Sequence, residues 1–384
     1  MFWYVTIFFL CILGFFLNNY CIKEQRYKKI VDICLIVILC LTTGTRYNIG
    51  GYDFDVYHTV YNNVPKLLNF NIFTVHNIVG VYGMEKGFLF LCSFFKTIGF
   101  TYYGFNLICS IVFYICMYLG LKKFTNNFTF VLFIFLYKLF IFDTFVLTRQ
   151  MLCIGGFMFL LRYIKEKNFV KYLIGCMILF TLHTSSLVLI PVYFINKINF
   201  SKKTVIILNC VFLTTLLFNL LDVSIIQVMV DLLSDFNFLG GKFSTYLNYL
   251  SDSGRSINLL NTIEYELLMC WVIYRYDDLK NSNDNNVLFI NLFLILLPIL
   301  TLFRGYEIMA RIKDYFIIVY AIILLALCEL KTLKISVPKA VMYLLIICIA
   351  FAGYVRSVMT FDSGNLIPYD TYLDNNVRMI DYGG

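Results

Sequence analysis

The sequence predicts an all-α bundle of transmembrane helices. Three observations predict it: 60% of the 384 residues are hydrophobic, only 14% are charged, and the mean hydropathy is +0.80. A water-soluble domain of this length carries far more charge on its surface. Most of this chain is therefore solvated by lipid, where a helix needs roughly 20 apolar residues to cross the hydrocarbon core.

The first apolar stretch, 2–17, has no basic leading region and no small-residue cleavage site, so it is expected as a retained helix rather than a signal peptide. Further spans are expected near 30–45, 104–121, 128–145, 148–164, 168–183, 184–196, 204–221, 260–276, 286–303, 311–330 and 338–355, about twelve in all. The stretch 87–99 is shorter and interrupted by Lys96, so it is expected to re-enter or lie at the interface rather than to span. With that assignment, 18 of the 31 lysines and arginines fall in alternate joints, among them Lys23 to Lys29, Lys122, Lys123, Arg162 to Lys171 and Lys331 to Lys339. By the positive-inside rule those joints are cytoplasmic. Both termini and the long loops of about 46–103 and 222–259 are then extracytoplasmic. Residues 1–384 read as one integral membrane domain, without an internal repeat or a flexible linker.

Composition also excludes several functions. The net charge of +8 comes from lysines at helix ends, not from a basic block with interleaved aromatics, so no nucleic acid partner is expected. The 13 cysteines fall singly, without CxxC spacing, and read as small hydrophobes rather than as metal ligands or disulfides. No HExxH, GxSxG or Walker-type loop is present. No metal and no cofactor are expected.

Function must then come from the polar exceptions, which collect at the outer ends of the expected spans: Arg46, Asp53, Asp55, Glu85, Arg149, His183, Arg304, Glu307 and Arg311. Arg149 stands in Thr148-Arg149-Gln150 between two apolar stretches, where an anionic ligand or plain snorkelling accounts for it. Arg304, Glu307 and Arg311 share a helical face if their joint is helical, as an ion pair or as a ligand site. His183 opens the Thr184-Ser185-Ser186 turn, where an imidazole serves proton transfer or simply caps a turn. The segment from Arg46 to Tyr57 combines a cation, two carboxylates, glycines and the aromatics Tyr47, Tyr52 and Tyr57. Aromatic faces with nearby carboxylates suit a sugar, and an ordinary polar turn is the plainer account.

Four passages together resemble the EpsG family of bacterial exopolysaccharide and O-antigen polymerases, the Wzy-like proteins. They are RYNIGGYDFDVY at 46–57, Glu85-Lys86-Gly87-Phe88, Thr148-Arg149-Gln150 and Leu182-His183-Thr184-Ser185-Ser186, with RIKDYF at 311–316 and Pro368-Tyr369 as weaker company. The order spans most of the chain. The sequence departs from the commoner family pattern where Gly51 and Tyr52 precede Asp53, so that Asp53 or Asp55 holds the equivalent place, and where Lys86 stands for a proline.

The resemblance implies a membrane glycosyltransferase of the lipid-carrier-dependent, GT-C type class, joining undecaprenyl-diphosphate-linked oligosaccharide repeat units on the outer face of the bacterial plasma membrane. The product would be O-antigen, capsule or exopolysaccharide, and a chain-length regulator protein is a possible partner. On that basis Arg149, Arg311, Arg46 and Arg304 are candidates to hold the diphosphate. Asp53, Glu85 and His183 are candidates to take the acceptor proton, and Tyr47, Tyr52, Asp55 and Tyr57 to bind glycan. The rival classes are a lipid-linked oligosaccharide flippase, which normally shows related halves, and a membrane acyltransferase with His58 or His183 as base.

Overall fold

The computed structural model describes residues 1–73, 75, 84–196, 198–221, 223, 225, 259–302, 311–330 and 339–380, and all regular structure among them is helical. Chain contacts divide it into two compact units, one made of Met1–Tyr193 with Val337–Gly384, the other of Phe194–Ser336.

The first unit contains α1 (Phe2–Phe16), α2 (Gln25–Gly44), α3 (Gly51–Asn63), α4 (Lys86–Thr97), α5 (Tyr102–Leu121), α6 (Phe128–Phe145), α7 (Thr148–Lys165), α8 (Phe169–Leu182) and, from the C-terminal part, α9 (Lys339–Thr360). A π-helical turn at Leu136–Phe140 interrupts α6. The core sits where α5 packs on α7 and α2, and α7 on α8. Close approach there depends on small residues: a Cβ at Gly155 would fall 3.2 Å from the Phe113 backbone, and one at Gly120 would strike the Met158 carbonyl.

Polar contacts give this unit two distinct ends. At one end Asp32 on α2 accepts hydrogen bonds from Lys122 (2.6 Å) and Asn18 (2.9 Å), Asn19 pairs with Asn127 (3.1 Å), and Lys123 meets Glu166 (3.0 Å). At the other end the C-terminal segment 365–380 lies across the helix ends like a strap. Tyr369 donates to the Thr42 carbonyl (2.7 Å) and stacks on Trp3, the Tyr47 N–H donates to Asp370 (3.0 Å), and the Thr101 N–H donates to Met379 (2.9 Å). The N-terminus, the start of α5 and the ends of α2 and α9 therefore share one end, opposite the lysine-rich joints.

The second unit contains α10 (Lys202–Leu220), α11 (Leu259–Tyr274), α12 (Tyr276–Ser282), α13 (Asn285–Leu302) and α14 (Asp314–Glu329). Thr215 of α10 bonds Thr301 of α13 at 2.7 Å, and Asn209 donates to Glu266 of α11 at 2.7 Å, so polar side chains help to join these apolar helices.

The structure supports part of the expected count of twelve spans. Six helices among the described residues are long and apolar enough to cross a membrane: Phe2–Cys21, Tyr102–Leu121, Phe128–Phe145, Lys202–Leu220, Asn285–Leu302 and Lys339–Thr360. Helices stand at most of the other expected positions, but α2 carries Lys28, Lys29 and Asp32, α7 carries Arg149, Arg162 and Lys165, and α8, α11 and α14 have only 14, 16 and 16 residues. The stretch 184–196 is not one helix: a 3-10 segment, Thr184–Leu189, gives way before Pro191 to the short helix Val192–Ile195. Proline has no N–H for the helical ladder, and its ring crowds the preceding turn. The 12 residues of α4 rise only about 18 Å, well short of the bilayer core.

Candidate functional site

Glu85 is the hub of the candidate site. Its backbone is extended, φ −67° and ψ 142°, because it caps α4 rather than belonging to it, and this leaves its carboxylate reaching away from the helix axis. Three residues from two segments converge on it. Arg149, in the first turn of α7, directs Nη1 to Glu85 Oε2 in a short ion pair. His183, which ends α8, places Nδ1 2.8 Å from Oε1. Thr184 gives the same oxygen its backbone N–H at 2.9 Å and its hydroxyl at 3.2 Å.

The junction between α4 and α8 makes this possible. Gly87 lies against the Thr181 backbone so closely that a Cβ would come within 2.5 Å of the Thr181 carbonyl oxygen. Any side chain at position 87 would lift α4 from α8, and Glu85 with it. The sequence folds α8 only as far as Leu182, and the extended conformation of His183, φ −156° and ψ 123°, turns the ring and the next N–H toward the carboxylate.

Electrostatics fix the protonation of the hub. Burial raises the pKa of Glu85, but the hydrogen bond from His183, the charge of Arg149 and the N–H of Thr184 outweigh it and bring it from 4.5 to about 2. Glu85 is ionised at neutral pH and its oxygens only accept. Nδ1 of His183 therefore carries the hydrogen of that bond, and in the neutral ring Nε2 holds the lone pair. Nε2 makes no hydrogen bond among the described residues. The arrangement can orient an imidazole base by a carboxylate.

Tyr57 is the second support of Arg149. It is 5% exposed, its hydroxyl accepts from Arg149 Nε at 3.3 Å, and its ring packs edge-on against Phe88 of α4. Burial raises its pKa despite the guanidinium. Asp53 lies one turn earlier on α3, half-buried, where its charge reaches the Tyr57 hydroxyl.

The remaining expected site residues lie elsewhere. Arg46 is 1% exposed and spends its guanidinium on backbone: Nε donates to Ile49 (3.0 Å), Nη2 to Phe145 (3.1 Å) and Nη1 to Thr43 through a shorter contact. Its rim packs on Phe54 and Phe145. Those bonds hold the turn after α2. Tyr47 stacks on Tyr103, and Asp55 is exposed on α3. Tyr52 is in the first turn of α3, but its side chain is not among those described; Arg304 and Glu307 lie outside the described residues. Arg311 opens a 3-10 turn in the second unit.

Sequence reasoning missed two parts of this site. Thr184 was legible only as the residue after a histidine, because its contribution is mostly a backbone N–H. Tyr57 was read as facing glycan, whereas Phe54, Tyr57 and Tyr61 at i, i+3 and i+7 mark the buried face of α3; that spacing was the signal available.

Neither the curated proteins nor the solved structures include one that matches this chain. The EpsG family model matches residues 29–371, a stretch that contains Glu85, Arg149, His183 and Thr184, and the chain belongs to the EpsG family.

Proposed function

We propose that the protein is a membrane glycosyltransferase that polymerises oligosaccharide repeat units carried on undecaprenyl diphosphate, at the extracytoplasmic face of the bacterial plasma membrane. The single observation that carries this reading is the cluster of Arg149, Glu85 and His183, set within an EpsG family chain rich in apolar helices. The lysine-rich joints lie at the opposite end of the first unit from the C-terminal strap, and the positive-inside rule assigns that lysine-rich end to the cytoplasm.

The cluster supports the following chemistry. A hydroxyl of the incoming repeat unit attacks C1 of the sugar at the reducing end of the growing glycan. The C1–oxygen bond to the lipid diphosphate breaks, and its electron pair leaves with the diphosphate. His183 Nε2 receives the hydroxyl proton, while Glu85 holds the ring and stabilises the imidazolium that forms. Arg149, braced by Glu85 and Tyr57, turns its remaining N–H groups toward the leaving diphosphate, where charge-assisted hydrogen bonds strengthen as negative charge gathers. The cluster supports Glu85 as a positioning residue and His183 as the base, and leaves Asp53 a supporting place beside Tyr57.

The test is the length profile of surface polysaccharide on a gel from cells with the intact gene, a deletion, or Arg149→Ala at matched membrane levels. Collapse of the ladder to single repeat units in both altered strains is expected. Loss of polymer and single units together points to a flippase, and an unaltered ladder in the deletion strain overturns the reading.

A further inference from the structure

We propose that the turn after α2 and the outer face of α3 form a subsite for uncharged pyranose rings of the substrate glycan, a step that rests on the polymerase reading above. α3 is two-sided. Phe54, Tyr57, Val60 and Tyr61 are buried, while Asp55 and Asn62 are exposed and His58 is half-buried between them. Asp55, His58 and Asn62 recur at i, i+3 and i+7 and so form one stripe.

An aromatic platform adjoins that stripe. Tyr47 stacks on Tyr103 with centroids 5.6 Å apart and planes at 21°. Tyr103 is only 8% exposed, so the half-buried Tyr47 is the outer ring of the pair. The His58 ring lies 5.9 Å from Tyr103 and 5.0 Å from Tyr102, which joins the platform to the helix. Tyr103 also donates its hydroxyl to the Asn48 side chain at 3.1 Å.

The platform is held rigid before any ligand arrives. Arg46 clamps the carbonyls of Thr43, Ile49 and Phe145, the Tyr47 N–H is tied to Asp370, and the turn uses positive φ at Asn48 (49°) and Gly50 (140°). Preorganisation of this kind reduces the entropy lost on binding.

The chemistry selects the ligand. An aromatic face packs on the CH face of a pyranose, and carboxylate, imidazole and amide groups bond its hydroxyls. Burial keeps the pKa of His58 below its usual value against the pull of Asp55, and its Nε2 lies 3.3 Å from the Asn62 amide nitrogen, so the two side chains face the ligand as a bonded pair. The Lys96 ammonium is directed to the Asn62 and Val64 carbonyls at 2.6 and 2.8 Å. Asp55 makes the stripe hostile to uronic acids. Tyr57, the neighbour of His58 in sequence, holds Arg149, so the helix that carries the stripe also supports the reacting centre.

The test uses the full-length protein in nanodiscs. The probe is the free repeat-unit oligosaccharide released by mild acid from the host's lipid-linked pool, and saturation transfer to its ring protons is read by NMR. Wild type, Glu85→Gln and Tyr47→Phe are expected to bind it alike, whereas Tyr47→Ala and His58→Ala bind about tenfold more weakly. Absence of saturation transfer in wild type overturns the inference, as does equal binding by both alanine variants or transfer concentrated on a uronic acid ring. Binding needs no catalysis, so the two proposals fail separately. An unaltered polysaccharide ladder in the deletion strain removes the polymerase reading, while equal binding by the alanine variants alongside a collapsed ladder removes only the subsite.

Discussion

Glu85 and His183 are 98 positions apart in the chain, yet Oε1 of the one lies 2.8 Å from Nδ1 of the other. The contact is set by backbone on both sides, since each residue is extended at the end of a helix and Gly87 removes the side chain that would separate α4 from α8. The chemistry of the site depends on that junction as much as on the two ionisable groups.

Glu85→Gln keeps the size of the side chain and removes its charge. It should lower polymer formation by roughly 10²-fold or more, because the imidazolium formed during transfer loses its carboxylate. The measurement is the amount of polymer per unit of membrane protein, and wild-type yield would refute the role.

His183→Gln should slow transfer about 10²- to 10⁴-fold while lipid-linked substrate still binds. A kcat that falls with KM nearly unchanged in purified protein fits a base. A rise in KM alone would make His183 a binding residue.

Gly87→Ala should act like a partial loss of the site although no reactive group is touched. The added methyl meets the Thr181 backbone at 2.5 Å, so α4 must shift and the Glu85–His183 bond lengthen or break. Reduced polymer from a normally inserted protein is expected; full activity would show that the junction tolerates the displacement.

Arg46→Ala should reduce the amount of folded protein rather than the chemistry alone. Removal of the guanidinium leaves the Thr43, Ile49 and Phe145 carbonyls without it, at about 1–3 kcal/mol for each that stays buried and unsatisfied. Thermal melting in detergent reads this directly, and a variant as stable as wild type would contradict a structural role.

The acid stability of the protein should carry a signature of Glu85. Its pKa in the folded protein, about 2, lies below the ordinary 4.5, so the stabilisation is present above pH 4.5 and fades as pH falls toward 2. In Glu85→Gln the melting temperature should be lower at pH 7 and should change less between pH 5 and pH 3 than in wild type.

The sequence by itself determined the class of fold and the chemical inventory. Lipid as solvent follows from composition, because apolar stretches of this length have no other place to bury their surface. Lysine placement separates two sets of joints, and in the first unit the Asp32–Lys122 end and the Tyr369–Thr42 end do lie apart. Glu85, Arg149 and His183 stood out as polar exceptions for the same reason. The tertiary structure alone decided which exceptions meet. Arg46 and Arg149 look alike in sequence, each an arginine at a helix end, yet one is sealed among carbonyls and the other pairs with a carboxylate. The extents of α4 and α8 lie close to the expected 87–99 and 168–183, but the break within 184–196 escaped the sequence reading although Pro191 marks it. Hydropathy records how much surface a segment must bury; only the packing of α4, α7 and α8 decides which atoms then lie within hydrogen-bond reach.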